Sequence, residues 1–196
     1  MRLPITADQF DHIIRTFADQ FEHEAFRLEL QATYVESDED RTVARFLAGE
    51  PDDPTESPGL KAWFEQIAIA TSAGKRVVRV RVQEEPPTPY QKWERWLGAW
   101  NAAAGEEILY LSRSRAFEIG LLPHAGTSDW WLFDGQILLL MHFDGVGVRC
   151  NHELTDAPIK LKQVRAWRDL AVRHGAPDDP QGVSRTDVRS NSDGAG

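Results

Sequence analysis

The stretch from residue 74 to residue 144 constrains the fold most, because it reads as strand, helix, strand, loop and hairpin. Residues 76–83 alternate valine with arginine or glutamine, which is the two-residue period of a half-buried strand. Thr88 and Gln91 form a capping box that predicts the start of a helix, and residues 107–111 predict the returning strand. Strands joined by a helix of this length form a parallel, right-handed βαβ unit.

The rest of the chain supplies further elements around that unit. Asp134-Gly135 between two apolar runs predicts a hairpin with a two-residue turn. Helices are predicted over residues 6–23, 37–48, 60–72 and 158–174, and strands over residues 25–35 and 146–152. We therefore predict a single α/β domain over residues 1–176, a mixed twisted sheet with a parallel βαβ core and an antiparallel hairpin, flanked by helices. Residues 177–196 carry few hydrophobic side chains and predict a disordered tail.

Composition excludes several classes of protein. The net charge of −9 argues against direct binding of nucleic acid, and eight acidic against two basic residues fall between Glu36 and Glu56. This acidic segment is interpreted as a solvated surface or as a docking site for a basic regulator. Cys150 is the single cysteine, so a disulfide framework is excluded. No signal peptide or membrane-spanning run is found, which predicts a cytoplasmic protein without membrane contact.

Five phrases of the sequence carry a family resemblance. They are FRLE at residues 26–29, RFLAGEP at 45–51, RVVRVRV at 76–82, AGEEI at 104–108 and DWWLFD at 129–134. With them, the chain resembles an actinobacterial family of uncharacterised function, whose members are often encoded near helix-turn-helix regulators and small partner proteins. The resemblance covers residues 21–174. It implies a non-catalytic regulatory or protein-interaction module, with a helix-turn-helix regulator or a small accessory protein as partner, and it supplies no catalytic residue and no cofactor.

The first candidate site is an anion-binding set of arginines. Arg79 and Arg81 share one face of a predicted strand, and Arg113 and Arg115 follow the end of the next parallel strand, where α/β proteins bind ligands. Guanidinium groups suit phosphate or carboxylate. In the alternative interpretation, these arginines pair at the surface with nearby glutamates, which are Glu84, Glu85, Glu106 and Glu107.

A second, weaker candidate is the catalytic pair His142 and Asp144, which share a strand face. A histidine beside carboxylates can transfer protons or bind a metal. The spacing matches no established metal motif, so no metal site is predicted. Asp144 precedes a glycine and fits equally well as a turn former.

The third candidate is a partner or ligand surface formed by tryptophans. Trp130 and Trp131 are adjacent and must point to opposite faces of a strand, and Trp93 lies on the predicted crossover helix. An exposed tryptophan anchors partners well, whereas a sheet covered on both faces buries all three.

Two further hypotheses stand beside the regulatory module. One is an enzyme acting on a phosphate-bearing substrate, such as a nuclease-like toxin, in which Arg79, Arg81 and Arg113 hold the anion and His142 transfers the proton. It requires these side chains to converge on one pocket. The other is a small-molecule sensor with a pocket lined by Trp93, Trp130 and Phe133.

Overall fold

One mixed β-sheet organises the part of the chain that the computed structural model describes, which is residues 2–5, 16, 20–36 and 39–178. Its strands are β1 (Arg2–Ile5), β2 (Glu24–Glu29), β3 (Arg76–Gln83), β4 (Glu107–Ser112), β5 (Asp129–Phe133), β6 (Ile137–Phe143) and β7 (Arg149–Thr155). Across these described residues the sheet has seven strands in the order β1-β7-β6-β5-β2-β3-β4. Helices α1 (Asp40–Leu47), α2 (Pro58–Ser72), α3 (Pro89–Ala103), α4 (Arg113–Glu118) and α5 (Pro158–His174) connect and flank it.

The parallel core predicted from the sequence is confirmed. β3 lies between β2 and β4 and pairs in parallel with both. Helix α3 crosses from β3 to β4 and begins with the predicted capping box, in which Thr88 Oγ1 accepts from Gln91 N and the Gln91 side chain accepts from Thr88 N. The two extended segments therefore run side by side in the same direction, as the length of the crossover requires.

The predicted hairpin is also confirmed. β5 and β6 pair antiparallel from Asp129 with Met141 to Phe133 with Ile137. Asp134 and Gly135 form the turn with φ of 50° and 66°. Two positive φ values define the primed turn that suits the twist of a hairpin.

Helices cover both faces of the sheet, so the molecule has three layers. On one face, the even-numbered residues of β2 and β3, such as Phe26 and Val80, pack against Ala116 of α4 and against Leu161 and Val164 of α5. On the other face, residues of α2 and α3 cover the odd-numbered positions of β2, β3, β5 and β6. The single α/β domain with a mixed sheet and flanking helices is therefore as predicted. The charged face of β3 is consequently buried, and this places the candidate site.

Two strand boundaries and one short helix differ from prediction. β2 ends at Glu29 rather than near residue 35, because Leu30 N donates to the Asp129 carboxylate at 2.8 Å instead of to a neighbouring strand. β7 begins at Arg149 rather than Val146, because Asp144 Oδ1 accepts from the backbone N–H groups of Val146 and Val148 and holds a turn there. Helix α4 was not predicted; Ser112 caps it by accepting from Arg115 N.

Two predicted segments fall partly or wholly outside the described residues. The helix predicted over residues 6–23 lies outside them except at residues 16 and 20–23. The predicted tail begins inside them, since Ala176 bridges to Tyr110 and Asp178 Oδ1 accepts from Arg95 Nη1 at 2.6 Å, whereas residues 179–196 lie outside.

Candidate functional site

Four charged side chains from β2 and β3 meet beneath helices α2 and α3. Arg27 and Glu29 on β2 lie opposite Arg79 and Arg81 in the parallel register. Arg79 and Arg81 are 5% and 4% exposed, and Glu29 is 4% exposed. Buried charges persist only when they are paired or hydrogen-bonded, so this group must be closely matched.

Glu29 is the centre of the charged group. Its Oε1 lies 3.0 Å from Arg27 Nε and accepts from Arg79 Nη1 at 2.6 Å, and its Oε2 accepts from Arg81 Nε at 2.7 Å. Burial alone would raise the pKa of Glu29, but the three guanidinium groups outweigh it and hold the pKa well below its usual range. Glu29 is therefore a carboxylate at any physiological pH.

A second carboxylate joins the group from the turn between α3 and β4. Arg79 Nε donates to Glu106 Oε1 at 2.7 Å, and Asn101 Nδ2 on α3 donates to the other oxygen of Glu106. Gly105, with a φ of 101°, sets the turn, and a Cβ there would lie 2.6 Å from Thr71 Oγ1 of α2. Glycine is thus required for α3 to end close to α2 and bring Glu106 under the helices.

Glu94 on α3 differs from the other two carboxylates. Burial raises its pKa to about 8, although Arg81 Nε lies 3.4 Å from Glu94 Oε1 and acts in the opposite direction. Arg81 also donates through Nη1 to the Glu94 backbone carbonyl at 2.8 Å. Glu94 is consequently a protonated acid at neutral pH, next to a guanidinium group.

These groups line a cavity of about 300 Å³. Its aromatic walls are Tyr34, Trp63, Tyr90, Trp93, Trp131 and Phe143. The Arg27 guanidinium carbon lies 5.4 Å from the Trp131 ring centroid, and that of Arg79 lies 5.7 Å from the Trp63 centroid. Three buried polar atoms of the lining, Arg27 Nε, Trp93 Nε1 and Asn101 Oδ1, have no hydrogen-bond partner among the described residues. The cavity thus presents two donors and an acceptor that a bound molecule can satisfy.

Asp129 and Tyr34 form a hydrogen-bonded group beside this cavity. The Tyr34 hydroxyl donates to Asp129 Oδ2 at 2.5 Å, and Leu30 N and Gln31 Nε2 donate to Oδ1 at 2.8 and 3.1 Å. Burial raises the pKa of Asp129 to about 6 and raises that of Tyr34. These bonds fix the chain where it leaves β2, so we assign Asp129 a positioning role.

The predicted anion-binding arginines are divided between two places. Arg79 and Arg81 enter the cavity. Arg113 lies at the ends of the parallel strands, where Nε contacts Glu84 Oε1 at 2.5 Å and Nη2 donates to Leu30 O at 2.6 Å. Arg115 is on α4, where Nη1 pairs with Glu118 at 3.0 Å. The alternative of surface pairs is correct for Arg113 with Glu84, but Arg79 and Glu106 are paired in the interior.

The structure separates the predicted catalytic pair from the arginines. His142 shares the sheet face of Leu138 and Leu140, opposite to Arg79 and Arg81, because side chains alternate along a strand. A single pocket holding Arg79, Arg81 and His142 is therefore excluded. Asp144 accepts from Val146 N and Val148 N and so caps the turn before β7, in agreement with the alternative interpretation of this residue as a turn former. Within the described ranges, no three His, Cys, Asp or Glu side chains come together as a possible metal site.

The tryptophans of the predicted ligand surface are buried. Trp130 is 0% exposed and packs against Phe26 in the core below α5, at 5.2 Å between ring centroids. Trp93 and Trp131 lie on the other face and line the cavity. A pocket lined by Trp93, Trp130 and Phe133 together is excluded, since Trp130 and Phe133 belong to opposite faces.

Sequence reasoning missed three residues of the site, namely Arg27, Glu29 and Glu94, and it named Glu106 only as a surface partner of the arginines. The alternation of Arg27 and Glu29 with apolar neighbours matches that of Arg79 and Arg81 and is typical of a half-buried strand. Because both strands carry charged side chains at every second residue, this shared period is the signal that could have predicted that the two charged faces lie side by side. Glu94 carries no such signal, because one glutamate on an amphipathic helix is common.

The chain belongs to a family described as a domain of unknown function (DUF6879), which matches residues 11–179. The predicted membership of an uncharacterised family is thus confirmed, whereas its actinobacterial source and its helix-turn-helix neighbours stay predictions. No curated protein matches the sequence. None of the described helices is long and apolar enough to cross a membrane.

Two solved structures are similar in fold. NucT from Helicobacter pylori has 12% sequence identity and a TM-score of 0.52, over 91% of this chain and 98% of that chain. Nuc from Salmonella typhimurium, a phospholipase D family member, has 9% identity and a TM-score of 0.52, over 90% of this chain and 95% of that chain. At such identities the likeness is one of fold.

These likenesses contradict the predicted non-catalytic regulatory or protein-interaction module. One of these two structures, Nuc, is a phospholipase D family member, so the likeness agrees better with the alternative of an enzyme for a phosphate-bearing substrate. That prediction went wrong because it rested on gene neighbourhood and on the lack of a recognisable catalytic motif. Neither reports on a cavity assembled from separate strands and a helix.

Proposed function

We propose that this member of the DUF6879 family is an enzyme acting on a small phosphate-bearing substrate, bound in the cavity between β2, β3 and helices α2 and α3. The observation that carries the proposal is the trio of guanidinium groups in a cavity of about 300 Å³ that Glu94 also lines; burial raises the pKa of this carboxyl group. Arginine is well suited to phosphate because its planar N–H groups match two phosphate oxygens.

The hydrogen-bond donors of the cavity suit an anion. Arg27, Arg79 and Arg81 stand against the carboxylates of Glu29 and Glu106. Asp129, whose pKa burial raises to about 6, acts on Arg27 and adds a negative charge at neutral pH. The charges of these six groups therefore balance, and a phosphate is held by the guanidinium N–H groups rather than by a surplus of positive charge.

The chemistry follows from the position of Glu94. A protonated carboxylic acid beside an arginine can donate its proton to the leaving oxygen of a phosphate ester while the guanidinium groups stabilise the charge on the phosphoryl oxygens. Trp93 Nε1, a buried donor without a partner among the described residues, is available to a further phosphate oxygen. This assignment replaces His142, which lies on the other face of the sheet, as the proton donor.

Two features support a small substrate. The net charge of −9 opposes binding along a polyanion, and the cavity volume is that of a ligand of modest size. The fold likeness to a phospholipase D family member supports a phosphate-bearing substrate, because a phospholipase D acts on a phosphate ester.

The test is a hydrolysis assay with p-nitrophenyl phosphate, bis(p-nitrophenyl) phosphate and a short oligonucleotide as separate substrates. We expect turnover of at least one small ester and a loss of about 100-fold or more in Glu94→Gln, since general acids contribute that much. The rate should fall as pH rises past about 8, where Glu94 loses its proton. Arg41→Gln is the control, because Arg41 is an exposed arginine away from the cavity.

A second readout covers the case of an unsuitable substrate. Millimolar phosphate should raise the thermal unfolding temperature of the wild type and should raise it less in Arg81→Gln, since a ligand stabilises the state that binds it. If the wild type shows no turnover of any substrate and no stabilisation by phosphate, the proposal is refuted.

A further inference from the structure

A serine, a histidine and a glutamate stand in contact on the sheet face opposite to the arginine cavity. Ser128 Oγ lies 2.8 Å from His142 Nδ1, and His142 Nε2 lies 3.4 Å from Glu153 Oε1 without forming a hydrogen bond to it. Ser128 immediately precedes β5, His142 is on β6 and Glu153 is on β7, which are neighbours in the sheet. Three adjacent strands thus each supply one member.

We propose that this trio is a nucleophilic site in which Ser128 is the nucleophile, His142 the general base and Glu153 the group that orients the histidine. A carboxylate accepts hydrogen, so Glu153 favours the tautomer with hydrogen on His142 Nε2. His142 Nδ1 is then the acceptor for the Ser128 hydroxyl. Nucleophile, base and orienting acid are within reach of one another, as activation of a serine requires.

The surroundings fit this role. The His142 side chain is 32% exposed, so a substrate can reach it, while the Glu153 side chain is only 12% exposed. A carboxylate shielded from water stabilises the imidazolium that forms when His142 takes the proton. The ion-pair distance of 3.4 Å can shorten at that moment, since such contacts are often long before the substrate binds.

The composition of the trio indicates the class of substrate. None of its three members is an arginine or a lysine, the side chains that hold a phosphate, whereas a neutral carboxylic ester needs no such cation. The Ser128 oxygen bonds to the carbonyl carbon, and its proton passes to His142. The C–O bond to the alcohol then breaks, and the alcohol leaves with that proton. Water repeats both steps on the acyl-serine, so the ester and water become acid and alcohol with no other reactant.

The experiment uses the full chain and a fluorophosphonate probe, with mass spectrometry to locate the adduct. Ser128 Oγ displaces fluoride and gives its proton to His142, so we expect phosphonylation at Ser128. His142→Gln should slow labelling by about 100-fold, the usual contribution of a general base. Ser114→Ala serves as the control, because Ser114 is a hydrogen-bonded serine on α4 and should leave labelling unchanged.

Two further measurements keep the outcome decisive. Glu153→Gln should slow labelling, which covers the case in which His142→Gln does not fold, and Ser128→Ala should abolish hydrolysis of p-nitrophenyl acetate. A folded wild type that stays unlabelled at Ser128, or labelling that is equally fast in the His142 and Glu153 variants, shows that the trio is only a structural contact and overturns the proposal. The site shares no residue with the arginine cavity, so either proposal can fail alone.

Discussion

At the scale of single residues, the decisive property of this protein is that buried carboxyl groups a few ångströms apart differ in protonation. Glu29 touches three guanidinium groups and stays ionised, whereas Glu94 faces one at 3.4 Å and is dominated by burial. The number of cations in contact decides which effect wins, because each close opposite charge offsets part of the cost of leaving water. One cavity therefore contains both a fixed anion and a proton donor.

Replacing Glu94 with glutamine should change the pH dependence of stability. The pKa of Glu94 is raised on folding from 4.5 to about 8, so the folded chain binds the extra proton between these values and loses stability as pH rises through them. The glutamine side chain cannot ionise. We expect the variant to match the wild type near pH 4.5 and to exceed it in stability by about 5 kcal/mol at pH 9, since each pKa unit corresponds to about 1.4 kcal/mol. Urea unfolding at both pH values measures the difference in stability. Glu65→Gln, at an exposed site, should differ from the wild type by the same amount at both pH values.

Removing Arg79 should be far more damaging than removing a surface arginine. Arg79→Met leaves Glu106 buried with Asn101 but without its cation, and an uncompensated buried charge costs about 3–5 kcal/mol. Arg41, whose side chain is 84% exposed, pairs with Asp52 at 3.4 Å, and Arg41→Met should cost less than about 1 kcal/mol. Denaturant midpoints of the two variants give the comparison, and similar costs would contradict the buried network.

At the scale of elements, the hairpin turn also holds the start of the parallel core. Asp134 sits in the β5–β6 turn, and its carboxylate accepts from the backbone N–H groups of Glu22, His23 and Glu24 at 2.8, 2.8 and 2.9 Å. A single turn residue thus closes the hairpin and fixes the entry of β2. The DG signature in the sequence predicted the turn but not its second role, since the residues that it contacts are more than a hundred positions away.

We expect Asp134→Asn to destabilise the protein by about 1–2 kcal/mol at pH 7, because the amide keeps one acceptor of the two. Burial raises the pKa of Asp134 somewhat, but the three backbone bonds outweigh it and lower the pKa. The stability that the Asp134 carboxylate contributes is present above its pKa in the unfolded chain and is lost as pH falls through its pKa in the folded chain. The difference in free energy of unfolding between the wild type and the variant should therefore decrease at low pH. Asp169→Asn, an exposed change on α5, is the control for chemical denaturation at pH 7 and pH 3.

Elements bounded by local chemistry were predicted well. The limits of β3 and α5, the capping box of α3 and the DG hairpin agree with the structure, because caps, proline and primed turns act within a few residues. The end of β2 and the start of β7 were not predicted. They depend on Asp129 bonding to Leu30 N and on Asp144 bonding to Val148 N, which are contacts that only the folded chain makes.

At the scale of the whole molecule, the sheet places on opposite faces two polar groups that the enzyme hypothesis from the sequence had assigned to one pocket. Arg79 and Arg81 face α2 and α3, and His142 faces the side covered by α4 and α5. Two residues that share no partner should contribute independently to stability.

The double variant Arg79→Met/His142→Gln should therefore be additive within about 0.5 kcal/mol. Glu29→Gln combined with Arg79→Met should deviate by about 1–3 kcal/mol, since those side chains bond at 2.6 Å. Equilibrium unfolding of these single and double variants tests both statements, and strong coupling across the sheet would contradict the separation of the two sites.

The sequence by itself determined the α/β class, the parallel crossover and the hairpin, because periodicity and turn chemistry are local properties. It could not tell whether the arginines of β3 face water or the interior, since the same alternation suits both. Only the tertiary structure decided that: helices α2 and α3 close over a charged sheet face, and carboxylates from β2 and from the turn after α3 pair with its arginines. Burial and charge depend on which side chains meet, and that is set by the packing of distant segments.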